Sequence, residues 1–156
     1  MNWQSLFFTF RGRINRSKFW LASVIFFGLG ILLGLIGIIA GNSMVFEGFD
    51  ALVNLAMFVS GLAVAAKRLH DRDKSAWWLV LFYFGPAVFI AIAVGITRDA
   101  VGAAGMTADV TLLLFKLCIL GALAIGIWGF VEIGCLRGTA GYNRFGPDSL
   151  PRLPQI

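Results

Sequence analysis

The stretch KRLHDRDKSAWW, Lys67 to Trp78, places four basic side chains, two carboxylates and the chain's single histidine within the eight residues Lys67 to Lys74. His70 and Asp71 are the residue types that a hydrolase uses as a base and the acid orienting it. Neighbours on a helix point about 100° apart, so an adjacent pair on one helix does not face itself. The competing reading has both residues closing a helix end, with Asp71 paired to nearby arginines. No serine or cysteine stands in a nucleophile elbow, and no HExxH spacing is present. Two further clusters carry similar side chains. RGRINR supplies Arg11, Arg13 and Arg16, and GTAGYNRFGPD supplies Asn143 and Asp148 among the turn-forming residues Gly138, Gly141, Gly146 and Pro147. Arginine's planar fork suits bidentate pairing with a carboxylate or a phosphate, so together with Arg68 these residues form the candidate binding set.

The elements that must position them are apolar. Only 13% of the 156 residues are charged, about half the roughly 25% of soluble domains. The chain is 59% hydrophobic with 15 phenylalanines and a mean hydropathy of +0.86. A bilayer core of about 30 Å is crossed by about 20 helical residues. Four runs meet that length, at about 19–41, 49–68, 75–97 and 110–133. The second is uncharged only from Ala51 to Ala66 and relies on Lys67 and Arg68 reaching back to the interface. The third contains Gly85-Pro86, which predicts a kink. In the fourth, Lys116 and Glu132 lie near opposite ends, within reach of an interface. None of the runs alternates apolar with polar residues, which argues against a barrel strand. The first also exceeds the usual apolar core of a cleaved signal peptide. The expectation is an all-α membrane protein, one polytopic domain over 1–156 with four transmembrane helices.

Direction follows from the cations. Eleven of the 13 lysines and arginines fall in 1–18, 67–75 and 134–156, leaving Arg98 and Lys116 on the other side. The positive-inside rule then puts both termini and the central loop in the cytoplasm. The segment RDAVGAAGMTAD between the third and fourth spans reads as a small flexible linker. At the start of the chain, Trp3, Leu6, Phe7 and Phe10 recur at i, i+3, i+4 and i+7, which predicts a short amphipathic helix lying in the interface, with Arg11 and Arg13 toward lipid phosphates.

In order and placement, the three clusters resemble the small bacterial inner-membrane family catalogued as domain of unknown function 805 (YhaH-like). The first pattern, R-G-R-[IL]-[NS]-R-x-x-[FY]-W, is matched from Arg11 to Trp20. The second, [KR]-R-L-H-D-x-G-x-S-G-W-W, is matched at Lys67, Arg68, Leu69, His70, Asp71, Ser75, Trp77 and Trp78. The third is matched at Gly138, Gly141, Asn143, Phe145, Gly146, Pro147 and Asp148. Asp73 and Ala76 stand where glycine is usual and Ser149 where proline is, which puts the loop conformation after Asp71 in question. The resemblance implies the fold, the topology and residence in the bacterial inner membrane, and no activity.

The function classes separate on these observations. Ion-coupled carriers hold ionisable groups mid-span. Here the polar residues within spans are few, namely Ser23, Asn54, Ser60 and Thr97. A channel or carrier would need several copies. The pairs Gly30/Gly34, Gly37/Gly41, Gly61/Ala65 and Ala122/Gly126 allow close helix approach, within the bundle or against a second copy or another membrane protein. Nucleic acid is not expected as a partner, because the basic residues adjoin span ends where anionic phospholipid is nearer. Cys118 and Cys135, 17 residues apart in one run, cannot bridge if that run is one helix. No metal or cofactor motif is present. The preferred reading is a non-catalytic membrane protein whose cytoplasmic Arg/Asp-rich cap contacts anionic lipid or a protein partner. In it Asp71, Glu132 and Asp148 are the carboxylates available to the arginines. The alternatives are a cytoplasm-facing pocket, formed by His70, Asp71, Asn143 and Asp148, that binds or acts on an anionic small molecule or headgroup, and an oligomeric channel or carrier.

Overall fold

In hydrocarbon a backbone must satisfy its own polar groups, and the long uncharged runs do so as helices. The computed structural model describes residues 3–41, 43–102 and 108–150; of Trp3, residues 99–102 and Ala108 it describes the backbone alone. Four helices, Arg16–Ala40, Met44–Asp71, Val80–Arg98 and Asp109–Cys135, are long and apolar enough to cross a membrane. They overlap the four predicted runs. The described residues contain no β-strand, only an isolated bridge between Asn143 and Gly146. The first helix buries only Ala22 and exposes Val24, Phe27, Ile38 and Ile39. Water would penalise such a surface, whereas lipid solvates it.

The chain divides into two compact units, Met1–Ala76 with Arg137–Ile156, and Trp77–Leu136. In the first unit, α1 is Trp3–Phe8, α2 is Arg16–Ala40 and α3 is Met44–Asp71. Asn15 starts α2 by accepting a hydrogen bond from the Lys18 amide at 3.0 Å, as an N-cap should. Gly41, at φ +64, ends it. α1 forms where the apolar spacing predicts it. Leu6 is buried in a cluster with Ile14, Ala22 and Val64, and Phe7 meets Phe26 edge-on at 5.5 Å. This face of α1 therefore packs on α2 and α3, while Phe8 and Phe10 are exposed. The Trp3 side chain, Arg152 and 103–107 of the expected linker lie outside the described residues.

With 28 residues, α3 is about 42 Å long, more than the roughly 30 Å hydrocarbon core. Its final turns are polar, yet Ala63 through Asp71 are all buried. It stops in a Schellman arrangement: the Asp73 amide donates to the His70 carbonyl at 3.0 Å and the Lys74 amide to the Leu69 carbonyl at 2.9 Å. That geometry needs a left-handed residue, and Asp73 supplies it at φ +55. The backbone conformation that favours glycine is thus retained with aspartate, one of the side chains best tolerated there.

The second unit is a helical hairpin of α4, Gly85–Gly102, and α5, Ala108–Phe130. Residues 98–102 of the expected linker continue α4. Ahead of Gly85-Pro86, where a kink is predicted, lies a π-helical turn, Val80–Phe84, a local adjustment that membrane helices use near proline. A second π-helical turn, Val131–Cys135, closes α5 and holds Glu132 buried. Trp78, Phe82 and Trp128 form an aromatic cluster with ring centroids 5.4–5.9 Å apart. Both cysteines are free thiols.

Candidate functional site

The last turn of α3 carries Arg68 and Asp71 three residues apart, which puts them on one helix face. Arg68 Nη1 donates to Asp71 Oδ2 at 2.6 Å, and Arg13 Nε donates to Asp71 Oδ1 at 3.1 Å. The three side chains are 0–2% exposed. A carboxylate removed from water needs such partners, and here each oxygen has an arginine.

Arg13 reaches further. Its Nη1 donates to the carbonyls of Gly141 at 2.7 Å and Gly146 at 3.2 Å. Its Nη2 donates to the carbonyl of Thr139 at 2.6 Å and to Thr139 Oγ1 at 3.3 Å. With the bond to Asp71, these five contacts match the five N–H groups of a guanidinium. One arginine therefore ties the segment before α2 to the end of α3 and to the loop after α5.

That loop closes over the helix end through its own polar atoms. The Thr139 amide donates to the Asp71 carbonyl at 2.8 Å, and its hydroxyl donates to the same oxygen at 3.0 Å. Asn143 Nδ2 donates to the His70 carbonyl and to Thr139 Oγ1, both at 2.9 Å, while its Oδ1 accepts the Phe145 amide at 2.9 Å. Asp148 accepts the amides of Gly141 at 2.8 Å and Leu150 at 3.1 Å. Gly138 is where the loop comes closest to the helix. A Cβ there would overlap the Asp71 carboxylate.

The His70 ring has its own partners outside this ion triad. Its Nδ1 lies 3.3 Å from the Gly12 carbonyl; since a carbonyl only accepts, Nδ1 carries the proton in that bond. The ring stacks on Phe145 at 3.9 Å with the planes 8° apart. Arg144 covers the Phe145 ring at 4.8 Å and pairs with Asp73 at 3.2 Å.

Six of the eight candidate residues thus meet in one network, namely Arg13, Arg68, His70, Asp71, Asn143 and Asp148. The other two, Arg11 and Arg16, are exposed. Thr139 and Lys67 were not among the candidates, although Lys67 opens the second pattern. Lys67, read as a topology determinant, is buried and donates to the carbonyls of Ser5, at 2.7 Å, and Leu6. These carbonyls lie in the last turn of α1, where helix geometry leaves them without intrahelical donors. Among the described residues no group of three or more His, Cys, Asp or Glu side chains could hold a metal ion.

Four apolar helices with a polar network at the end of α3 define a multi-pass membrane protein. The chain belongs to the family described as protein of unknown function (DUF805), whose model matches residues 7–147. It is 31% identical to inner membrane protein YhaH of Escherichia coli K12 over 149 residues, covering 92% of this chain and 88% of that protein. It is 28% identical to uncharacterized protein YiiR of the same organism over 153 residues, covering 96% and 91% respectively. Inner membrane protein YhaI is 35% identical over 74 residues, 47% of this chain and 61% of that protein. No solved structure matches. With its four apolar helices and these relatives, the chain is a multi-pass protein of the inner membrane.

Proposed function

We propose that this is a non-catalytic membrane protein whose three polar clusters form a structural clamp on the cytoplasmic face, with the remaining cations contacting anionic phospholipid. One observation carries the clamp. Asp71, the carboxylate that a catalytic or ligand-binding reading most needs, has both oxygens held by buried arginines. His70, Asn143 and Asp148 likewise bond to protein backbone rather than converging on a ligand. The orientation rests on the eleven cations that lie in the termini and central loop.

Replacing Asp71 with Asn removes the charge from the carboxylate that the two buried guanidiniums share. Breaking a buried pair in this way costs about 3–5 kcal/mol, a fall of about 10 °C in Tm for a chain of this size. Thermal unfolding in mild detergent measures it, and an unchanged Tm refutes the clamp. Orientation is tested separately by phosphatase and fluorescent-protein fusions at Leu150. A periplasmic signal there refutes the cytoplasmic placement.

A further inference from the structure

A basic region adjoins the clamp. A cleft of about 250 Å³ opens beside α1, lined by Ser5, Leu6, Thr9, the segment 11–14, Lys18 and Lys67. Four of those residues are cations and none is acidic. Among the described residues, Arg13 is the one of the four that bonds to a carboxylate. Lys67 is 3% exposed, and among the described residues its ammonium bonds only to carbonyl oxygens, so a buried charge has dipoles around it but no counter-ion. The side chains of Arg11 and Lys18 have no partner among the described residues. Local sequence offers none either, because the first carboxylate in the chain is Glu47.

We propose that this cleft binds a phosphate group of uncompensated negative charge, carried by an anionic phospholipid headgroup or free in solution. The inference rests on the reading above, in which leftover cations meet anionic phospholipid, and it names where. Three cations without a carboxylate create the local excess of positive potential that a phosphate neutralises. The volume lies below the roughly 300–1,000 Å³ of sites that enclose drug-sized ligands, so it suits a small anion rather than a nucleotide. Phe8 and Phe10, exposed on either side of Thr9, are residues that belong at headgroup depth, where a lipid phosphate is found.

Native mass spectrometry of the full chain in neutral detergent tests this, with phosphatidylglycerol, phosphatidylcholine or millimolar inorganic phosphate added. The wild type should retain phosphatidylglycerol over phosphatidylcholine, or retain inorganic phosphate. The Arg11→Gln/Lys18→Gln double variant should bind about 25-fold more weakly, at roughly fivefold per cation. Arg11→Lys/Lys18→Arg should keep the binding. Phosphatidylglycerol that inorganic phosphate does not displace assigns the headgroup, and displacement assigns the phosphate itself. Equal retention of the two lipids without phosphate binding overturns the proposal, as does retention unchanged in the double variant. Neither Arg11 nor Lys18 bonds within the clamp, so the double variant should keep the wild-type Tm without lipid. A failure here leaves the Asp71→Asn result standing.

Discussion

The two units solve the same problem, holding helices together where apolar burial gives little, by opposite means. In the first unit, the end of α3 is fixed by charge and directed hydrogen bonds, with Asp71 between Arg13 and Arg68 and the loop after α5 bonded over them. In the second, α4 and α5 are fixed by shape. A Cβ at Gly129 would sit 3.0 Å from Phe82, and one at Gly121 would sit 2.8 Å from Phe89. Each glycine is a hollow that receives a ring. Lipid tails are as apolar as leucine, so helices in a bilayer associate through close packing or through polar bonds. Polar bonds serve where the helix end leaves the hydrocarbon, and packing serves within it.

A single methyl group distinguishes these modes. The largest effect is expected from Gly138→Ala, whose Cβ enters the space of the Asp71 carboxylate. The loop must then lift off or the ion triad must break, at a cost of about 3 kcal/mol or more. Urea-dependent unfolding in detergent should show it, and wild-type stability would mean that the loop does not press on the triad. Gly129→Ala should cost less, about 1–3 kcal/mol, because its Cβ would stand 3.0 Å from the Phe82 ring, a crowding that a shift of a few tenths of an ångström relieves. If it costs as much as Gly138→Ala, the second unit is as rigidly determined as the first. Gly30→Ala serves as the control, since outside its own helix backbone no atom among the described residues lies within 4 Å of its Cβ position; no packing cost is expected, only a gain of up to about 1 kcal/mol from the better helix former.

That control shows how the helix packing was only partly legible in the sequence. Spacing of small residues singles out Gly30/Gly34, Gly37/Gly41, Gly61/Ala65 and Ala122/Gly126. Gly37 does receive Phe46, and Gly61 touches Phe26 at 4.0 Å, but Gly30, Gly34 and Gly126 have open space. Within the described helices, the tightest glycines, Gly121 and Gly129, stand eight residues apart and fit no four-residue pattern. Glycine spacing shows where a backbone can be approached. Which ring arrives depends on the partner helix.

The substitution at Asp73 makes the complementary case. A non-glycine residue there put the loop conformation in question, yet the helix ending requires φ > 0 and Asp73 adopts it. Its side chain then meets Arg144, 71 residues away. The backbone requirement is local and readable. The partner is not.

The amino-acid sequence by itself determined the four apolar helices, the crowding of cations at their ends and the three polar clusters, because hydropathy, charge and turn chemistry act over a few residues. Only the tertiary structure decided which of the similar arginines is consumed by the polar network. Arg11 and Arg13 are two positions apart and line the same cleft, but Arg13 is saturated by acceptors 58 to 133 residues away while the Arg11 side chain has no partner among the described residues. Identical side chains differ in role here because long-range packing sets which of them meets a carboxylate.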